Sequence, residues 1–168
     1  MKSENMKFFE KMVFQYEKAI FSHILGLVRQ KETAEDLTQE VFIKFYKNLN
    51  KIDPDKSFKS WLYRIATNTV YDYWRRRREK RELLIIDGEE NSFETIEEED
   101  AYLLIANKND LARALEKIKP IHKTIILMHY YQEFSYEEIA TALEIPINTV
   151  KTHLHRAKKE LKEKYDEH

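Results

Sequence analysis

The stretch from Phe58 to Arg81, FKSWLYRIATNTVYDYWRRRREKR, constrains the fold more than any other part of the chain. Its apolar residues recur every three or four positions, which predicts an amphipathic helix with one buried face. The predicted buried face consists of Trp61, Leu62, Ile65, Ala66, Thr69, Val70 and Tyr73. The opposite face mixes cations, short polar groups and an aromatic ring: Lys59, Arg64, Thr67, Asn68, Tyr71 and Arg75. We expect the rest of the chain to pack around this helix.

The polar face of this predicted helix has groups that suit a nucleic-acid contact. Guanidinium groups can hold phosphates, an aromatic ring can stack on an unpaired base, and an amide can hydrogen-bond to a base edge. Residues 75–81 add six cations against one anion, Glu79. Taken alone, this stretch is explained equally well by a solvent-exposed helix with a basic tail. The choice between that interpretation and a nucleic-acid-binding helix depends on the rest of the sequence.

The remaining sequence indicates an all-α protein. Among 168 residues there are only two glycines and three prolines, so tight turns and hairpins are scarce. Long helical periods are common, and alternating β-branched runs are few. The length fits one large or two small domains, and 42% hydrophobic residues suffice for a core.

Two helices are predicted before the central one, and the three form a first domain over residues 1–82. The first runs from Met6 to Arg29. The second runs from about Ala34 to Leu49, with Thr33 as its N-cap, and Ser57 caps the central helix. The second helix presents one face of acids, an amide and an isoleucine: Glu35, Asp36, Gln39, Glu40 and Ile43. Such a face is either solvent surface or a docking face for a basic partner.

Residues 83–107 differ from the rest, because eight acids and no base lie between Asp87 and Asp100. Low periodicity and high charge predict a flexible linker. Its extended reach of about 80 Å is close to two turns of duplex DNA, about 70 Å. Beyond it, residues 108–168 form the second predicted domain.

The second domain contains a predicted helix-turn-helix. Ser135 and Glu138 have capping-box spacing and open a short helix that ends at Leu143. A turn follows, and Asn148 is the predicted cap of the last helix. The inner face of that helix is apolar: Val150, Leu154, Ala157 and Leu161. Its outer face and flanks are polar: Lys151, Thr152, His155, Arg156, Lys158 and Lys159. The same hairpin could also bind protein only.

Composition excludes several classes of protein. The chain has no cysteine, so disulfides, cysteine-zinc sites and thiol catalysis are excluded. No apolar run approaches a membrane span and no signal peptide precedes the first helix, so we expect a cytoplasmic protein without membrane insertion. The net charge of −1 gives little overall attraction to DNA, which favours a protein that grips DNA with help from a partner.

Three motifs in this order closely resemble those of extracytoplasmic-function (ECF) sigma factors, the small two-domain specificity subunits of bacterial RNA polymerase. Residues 34–42, AEDLTQEVF, resemble the family's region 2.2, and FKSWLYRIATN at residues 58–68 is similar to regions 2.3 and 2.4. Residues 135–140, SYEEIA, together with residues 143–156 resemble region 4.2. The resemblance covers nearly the whole chain except the linker.

This resemblance implies a set of partners and site residues. Core polymerase would be bound through its beta-prime clamp, at Asp36, Gln39 and Glu40, and through its beta flap. The single-stranded −10 element would be read by residues at and before the central helix: Ile52, Arg64, Ile65, Asn68, Tyr71 and Arg75. The duplex −35 element would be read from the last helix: Thr149, Lys151, Thr152, His155 and Arg156. An anti-sigma factor is a further expected partner, whereas neither a cofactor nor a metal is expected.

The chain departs from the family pattern at the helix-turn-helix. Glu144 replaces a common glycine, which could shift the turn, and Asn148 replaces another. His153 and His155 stand where relatives often carry arginine or a larger residue, so the −35 preference does not carry over; two residues apart on a helix, they cannot share a metal.

Two other functions remain to be weighed against the sigma-factor interpretation. A stand-alone helix-turn-helix regulator is the alternative, but residues 1–82 offer it no evident dimer or effector domain. An enzyme acting on nucleic acid would need a phosphate-binding loop, a nucleophile with its base, or carboxylates on a structured element. None of these is present in the sequence.

Overall fold

Seven helices make up the part of the chain that the computed structural model describes, residues 2–53, 57–86 and 109–166. They are α1 (Lys2–Val28), α2 (Lys31–Lys47), α3 (Phe58–Ile86), α4 (Asn109–Lys117), α5 (Pro120–Ile126), α6 (Tyr136–Leu143) and α7 (Ile147–Asp166). A 3₁₀ turn at Leu49–Lys51 precedes α3, and a π-helical turn at Leu127–Tyr131 continues α5. These elements confirm the all-α class. The predicted linker from residue 87 onwards lies outside the described residues.

Helices α1–α3, here called the N-terminal unit, pack around an aromatic cluster. Phe45 of α2 is fully buried, and its ring centroid lies 5.0 Å from that of Phe9, 5.2 Å from that of Phe58 and 5.8 Å from that of Trp61. Aromatic pairs at such distances stabilise beyond the area that they bury. The cluster therefore joins all three helices at one end of the unit.

The connection from α1 to α2 is shorter than predicted. The predicted N-cap at Thr33 is wrong, because α2 begins at Lys31 and Gln30 occupies the cap position in extended conformation. The Gln30 carbonyl accepts the first helical hydrogen bond from Ala34 at 2.9 Å, and Thr33 donates its hydroxyl to the Gln30 side chain at 3.0 Å. Arg29, with φ 61°, makes the left-handed turn that ends α1.

Helix α3 begins where predicted and ends later. Ser57 caps it, since the Ser60 amide donates to the Ser57 hydroxyl at 3.2 Å. Leu62, Ala66 and Val70 of the predicted face are fully buried. The helix continues to Ile86, past the predicted domain boundary at residue 82, because residues 75–86 contain only residues compatible with a helix and neither glycine nor proline.

Helices α4–α7, here called the C-terminal unit, contain the predicted helix-turn-helix. Pro120 lies in the first turn of α5, where a missing backbone N–H costs nothing. The Ser135–Glu138 capping box is confirmed, with both reciprocal hydrogen bonds at 3.1 Å. The predicted cap at Asn148 is wrong, because α7 begins at Ile147 and the carbonyl of Pro146 accepts from the amides of residues 149 and 150.

The two units pack against each other and share one hydrophobic core. The Tyr63 ring of α3 meets the Phe134 ring, which precedes α6, at 4.7 Å between centroids. At Gly26 of α1, an added Cβ would lie only 3.2 Å from Leu127 Cδ1, so the absence of a side chain there permits the close approach. None of the helices described is both long enough and apolar enough for a membrane crossing.

Candidate nucleic-acid interface

The outer face of α7 is the first candidate surface. Four of its five predicted DNA-contacting side chains are exposed, and Thr149 is half-buried; the exposed four are Lys151, Thr152, His155 and Arg156. The opposite side of α7 is fixed to the unit by the buried Val150, Leu154 and Ala157. Burial of one face at helical spacing therefore orients the other face outward as a row of donors.

The turn before α7 keeps the geometry that a helix-turn-helix requires. Glu144 adopts the left-handed conformation, φ 57° and ψ 43°, that glycine adopts most easily, and it ends α6. The Ile145 amide donates to the Ala140 carbonyl at 3.1 Å. Glu144 therefore does not shift this turn: it ends α6 in the left-handed conformation that a glycine would adopt there.

The polar face of α3 is the second candidate surface. Asn68 and Arg75 are exposed, and Ile65 is half-buried. Arg75 forms an ion pair with Asp72 at 2.5 Å. Ile52, also half-buried, follows the 3₁₀ turn in extended conformation before α3 begins. One helix and the segment before it thus supply an amide, a guanidinium and two aliphatic side chains.

Three members of this predicted face contact the C-terminal unit, and the first is Lys59, whose ammonium lies 3.9 Å from a Glu138 carboxylate oxygen. Arg64 Nη1 donates to Glu144 Oε1 at 2.9 Å, and the hydroxyls of Tyr71 and Thr124 share a hydrogen bond of 2.8 Å. Burial raises the pKa of the Tyr71 hydroxyl above its usual value. Thr67, predicted on the same outer face, is buried and bonded to His23 at 3.0 Å. The expectation of an open polar face is therefore wrong for Arg64 and Tyr71, which contact the C-terminal unit, and for Thr67, which contacts α1.

The polar face of α2 is open. Asp36 and Gln39 are exposed, and Glu40 is half-buried and paired with Lys44 at 3.3 Å. Beside them Ile43 is 54% and Tyr46 51% exposed. Large apolar side chains amid polar ones are typical of a protein-binding surface. Tyr46 was missed from the sequence, although it lies three residues after Ile43.

A groove between α4, α5 and α7 was also missed. Its volume is about 540 Å³, and its lining is apolar and aromatic with two lysines at the side: Leu111, Leu115, Ile126, Tyr130, Tyr131, Leu161, Tyr165, Lys158 and Lys162. The Lys158 ammonium lies 5.4 Å from the Tyr130 ring centroid. In the sequence, the available signal for this groove was the adjacent pair Tyr130 and Tyr131. The pair follows an apolar helical segment but does not continue its buried stripe.

The histidines of α7 form no metal site in the described part of the chain. His153 instead lies 5.7 Å from the His122 ring, between centroids, and His122 Nδ1 pairs with Glu160. Burial, then the neighbouring His122 and Arg156, lower the pKa of His153.

Known proteins match this chain over both units. Residues 12–80 match the family Sigma-70 region 2, and residues 108–161 match Sigma-70, region 4. The chain is 32% identical over 165 residues to the ECF RNA polymerase sigma factor SigW of Bacillus subtilis, which covers 92% of this chain and 87% of the relative. The chain belongs to the ECF RNA polymerase sigma factors.

Other relatives of this sigma factor support the same family assignment. It is 33% identical over 154 residues to the RNA polymerase sigma factor YlaC of Bacillus subtilis, over 91% of this chain and 89% of the relative. Its fold matches RpoE of Bartonella quintana, solved with the anti-sigma factor NepR, with a TM-score of 0.73 at 24% identity over 95% and 98% of the two chains. It also matches CnrH, solved with the cytosolic domain of CnrY, with a TM-score of 0.72 at 22% identity over 98% and 91%.

The family matches divide the candidate surfaces of this sigma factor between its two regions. The region 2 match contains the α2 face and most of α3, from Phe58 to Lys80. The region 4 match contains the helix-turn-helix and most of the groove lining. Each region thus contains one candidate DNA-binding surface, on α3 or α7. Each also contains one candidate protein-binding surface with apolar and charged side chains, namely the α2 face or the groove.

Proposed function

We propose that this sigma factor directs bacterial core RNA polymerase to specific promoters and promotes melting of the DNA there. It acts in the cytoplasm as an initiation factor and is not itself an enzyme. The observation that carries this proposal is the outward row of donors on α7, the second helix of a helix-turn-helix in the region 4 match. A helix so presented fits the major groove of duplex DNA.

The −35 element is read by α7 as duplex. Lys151 and Arg156 supply positive charge, and Thr152 and His155 supply neutral polar groups between them. Cations on such a helix bind phosphates or guanine edges, and the hydrogen bonds to base edges determine sequence preference. The Thr152 hydroxyl already donates to the Asn148 carbonyl at 3.0 Å, which leaves its oxygen available as an acceptor.

The −10 element is read by α3 as a single strand. Ile52 and Ile65 supply the apolar sides of a site for an unpaired base, and the exposed Asn68 supplies one donor and one acceptor for its edge. Arg64, Tyr71 and Arg75 extend the surface with phosphate-binding and stacking groups. Turning a base out of the duplex costs a few kcal/mol, which contacts of this kind offset.

The polymerase clamp docks on the α2 face. Asp36, Gln39 and Glu40 provide the polar contacts, and the exposed Ile43 and Tyr46 provide an apolar centre. Acidic groups around apolar anchors suit a basic partner surface.

The flap of the beta subunit docks in the groove between α4, α5 and α7. The exposed Tyr130, Tyr131 and Tyr165 offer large amphipathic contact areas, which are enriched at protein interfaces. An apolar partner helix with acids facing Lys158 and Lys162 fits this groove. An anti-sigma factor that covers the same surfaces would keep the protein from polymerase.

Transcription in vitro tests the proposal. Purified protein and bacterial core polymerase are incubated with a pool of genomic DNA fragments, and the 5′ ends of the transcripts are mapped. We expect start sites that appear only with the protein present and that share one −35 and one −10 sequence. Start sites identical to those of core enzyme alone would contradict the proposal, and a shift of duplex DNA by the protein alone would favour the stand-alone regulator.

A further inference from the structure

The side chain of Asn148, in the first turn of α7, is not used by the local structure. The helix is capped without it, because the Pro146 carbonyl accepts from the amides of Thr149 and Val150 at 3.0 and 3.1 Å. The left-handed conformation, to which asparagine is also suited, is adopted by Glu144, whereas Asn148 is helical. In the part of the chain that the structure describes, the exposed amide of Asn148 makes no hydrogen bond.

Asn148 lies on the face of α7 that the proposed function places in the major groove. Three exposed side chains follow it at spacings of three, four and seven residues, which puts all four on one side of the helix: Lys151, Thr152 and His155. In helix-turn-helix proteins, the N-terminal residues of the second helix contact the base edges. Asn148 is therefore at a position from which a short side chain can reach a base.

The four side chains of this face differ in the base edges that they can bind. The Lys151 ammonium only donates hydrogen bonds, and Thr152 already donates its hydroxyl hydrogen to the Asn148 carbonyl at 3.0 Å, so it can only accept. A neutral His155 ring has one donor and one acceptor, but they point away from each other. Of these four, only Asn148 presents a donor and an acceptor side by side. Adenine is the base whose major-groove edge shows an acceptor, N7, beside a donor, N6.

We propose that Asn148 determines one base of the −35 element by binding the major-groove edge of an adenine. Its amide nitrogen donates to N7, and its carbonyl oxygen accepts from the N6 amino group. The inference rests on the proposed function of α7 and adds to it a residue and the base that this residue reads. A relative that carries glycine at this position has no side chain for such a contact, so the preference for adenine distinguishes this protein from it.

Selection from a randomised −35 element tests the inference. Protein and core polymerase are incubated with templates that share one −10 element, and the templates retained in initiation complexes are sequenced. We expect the wild type to prefer adenine at one position by about 5- to 150-fold, the discrimination that one bidentate contact provides. Asn148→Ala should lose the preference at that position alone and should fold normally, because alanine is the better helix former. Gln15→Ala, which removes an exposed amide from α1, is the control and should keep the preference.

Asn148→Asp should change the preferred base rather than abolish the preference. A carboxylate only accepts hydrogen bonds, and cytosine presents its N4 amino group as a donor in the major groove. The base selected at this position should therefore change from adenine to cytosine. An equal loss by Asn148→Ala at every −35 sequence would make the amide a phosphate contact and overturn the inference. Unchanged base preferences in both variants would overturn it as well.

A modified base tests the hydrogen bond itself. At the selected position, 7-deazaadenine lacks the N7 acceptor and keeps the N6 amino group. Initiation by the wild type should fall by about 2- to 12-fold, the contribution of one hydrogen bond. Asn148→Ala should use both templates equally, because it has no donor to lose. An equal fall with both proteins would assign the N7 contact to another residue and overturn the inference. Failure of the wild type to initiate from any template would instead refute the proposed function.

Discussion

The ammonium of Lys123 donates to the carbonyl oxygen of Leu27 at 3.2 Å and so caps the end of α1 from a different helical unit. A cation near a helix C-terminus is favourable, because unpaired carbonyls concentrate negative potential there. The location is nonetheless costly for a charge. Burial, and then the nearby Arg29 guanidinium, lower the pKa of Lys123 to about 7.

This pKa predicts a stability that depends on pH. Lys123 titrates near its ordinary 10.5 when unfolded and near 7 when folded, so between these values the unfolded chain binds more protons. The free energy of unfolding should therefore rise with pH across this window and fall as pH drops towards 7. The contribution is up to about 1.4 kcal/mol per pH unit. Urea unfolding of the wild type and of Lys123→Met, from about pH 7.5 to 9.5, measures it.

The difference between wild type and Lys123→Met isolates this one group from other titrations. Arg29, paired with Glu116, is the charged neighbour that stays in both proteins. Lys159→Met, which removes one lysine at an exposed position of α7, is the control. A constant difference between wild type and Lys123→Met over the whole range would mean that Lys123 is not buried in solution.

Substitutions on the exposed α2 face should reduce binding to polymerase and leave the fold intact. Asp36→Arg together with Gln39→Ala should weaken binding to core polymerase, because like charge against a basic partner costs several kcal/mol. Both side chains are exposed, so the thermal unfolding midpoint should change little. Pull-down of core enzyme measures binding, and Glu17→Arg on α1 controls for charge reversal. Retention of core at the wild-type level would remove α2 from the clamp interface.

The α7 face predicts two kinds of promoter defect. Lys151→Ala should cost about 1–3 kcal/mol and relax the preference at one base position, whereas Arg156→Ala should weaken all promoters alike as a lost phosphate contact does. Transcription from a −35-dependent promoter and from single-base variants of it distinguishes the two. Lys18→Ala, exposed on α1, controls for the loss of one positive charge. If neither α7 substitution lowers transcription, the placement of this helix in the major groove is wrong.

Local features of this fold were predictable from sequence, and contacts between distant helices were not. The caps at Ser57 and Ser135 follow from side chains that bond to amides within three residues. The start of α7 was missed because the Pro146 carbonyl, not a side chain, accepts from its first turn. The burial of Tyr71 was missed because Thr124, its partner, is 53 residues away. Periodicity assigns a face to a helix but does not say how many neighbours will cover it.

The candidate site divides in the same way. Asn68 and four of the five α7 residues are exposed as expected from their positions opposite buried stripes, whereas Thr149 is half-buried. The groove between α4, α5 and α7 depends on three helices that meet, so no single stretch of sequence reveals it. Arg64 was expected at an open DNA surface, but it pairs with Glu144 of the other unit, 80 residues away in the sequence.

Substitution of Asn68 tests whether its amide recognises an unpaired base or is only an exposed polar group. It is exposed in mid-helix, where asparagine is a poorer helix former than alanine. Asn68→Ala should therefore leave the thermal stability equal or slightly raised. It should nevertheless lower open-complex formation, because the amide that donates to and accepts from a base edge is lost.

A comparison of paired and mismatched promoter templates distinguishes two roles of the Asn68 contact: offsetting the cost of unpairing the DNA, and recognising the unpaired base. On a promoter whose −10 region is already mismatched, the defect of Asn68→Ala should shrink, because the cost of unpairing the duplex no longer has to be offset. It should not vanish, since the base edge is still unread. Permanganate reactivity and abortive transcript yield on paired and mismatched templates measure both effects, with Glu79→Ala, exposed on the same helix, as the control. Equal activity of Asn68→Ala and wild type on the paired template would make Asn68 a surface residue without a role in promoter opening.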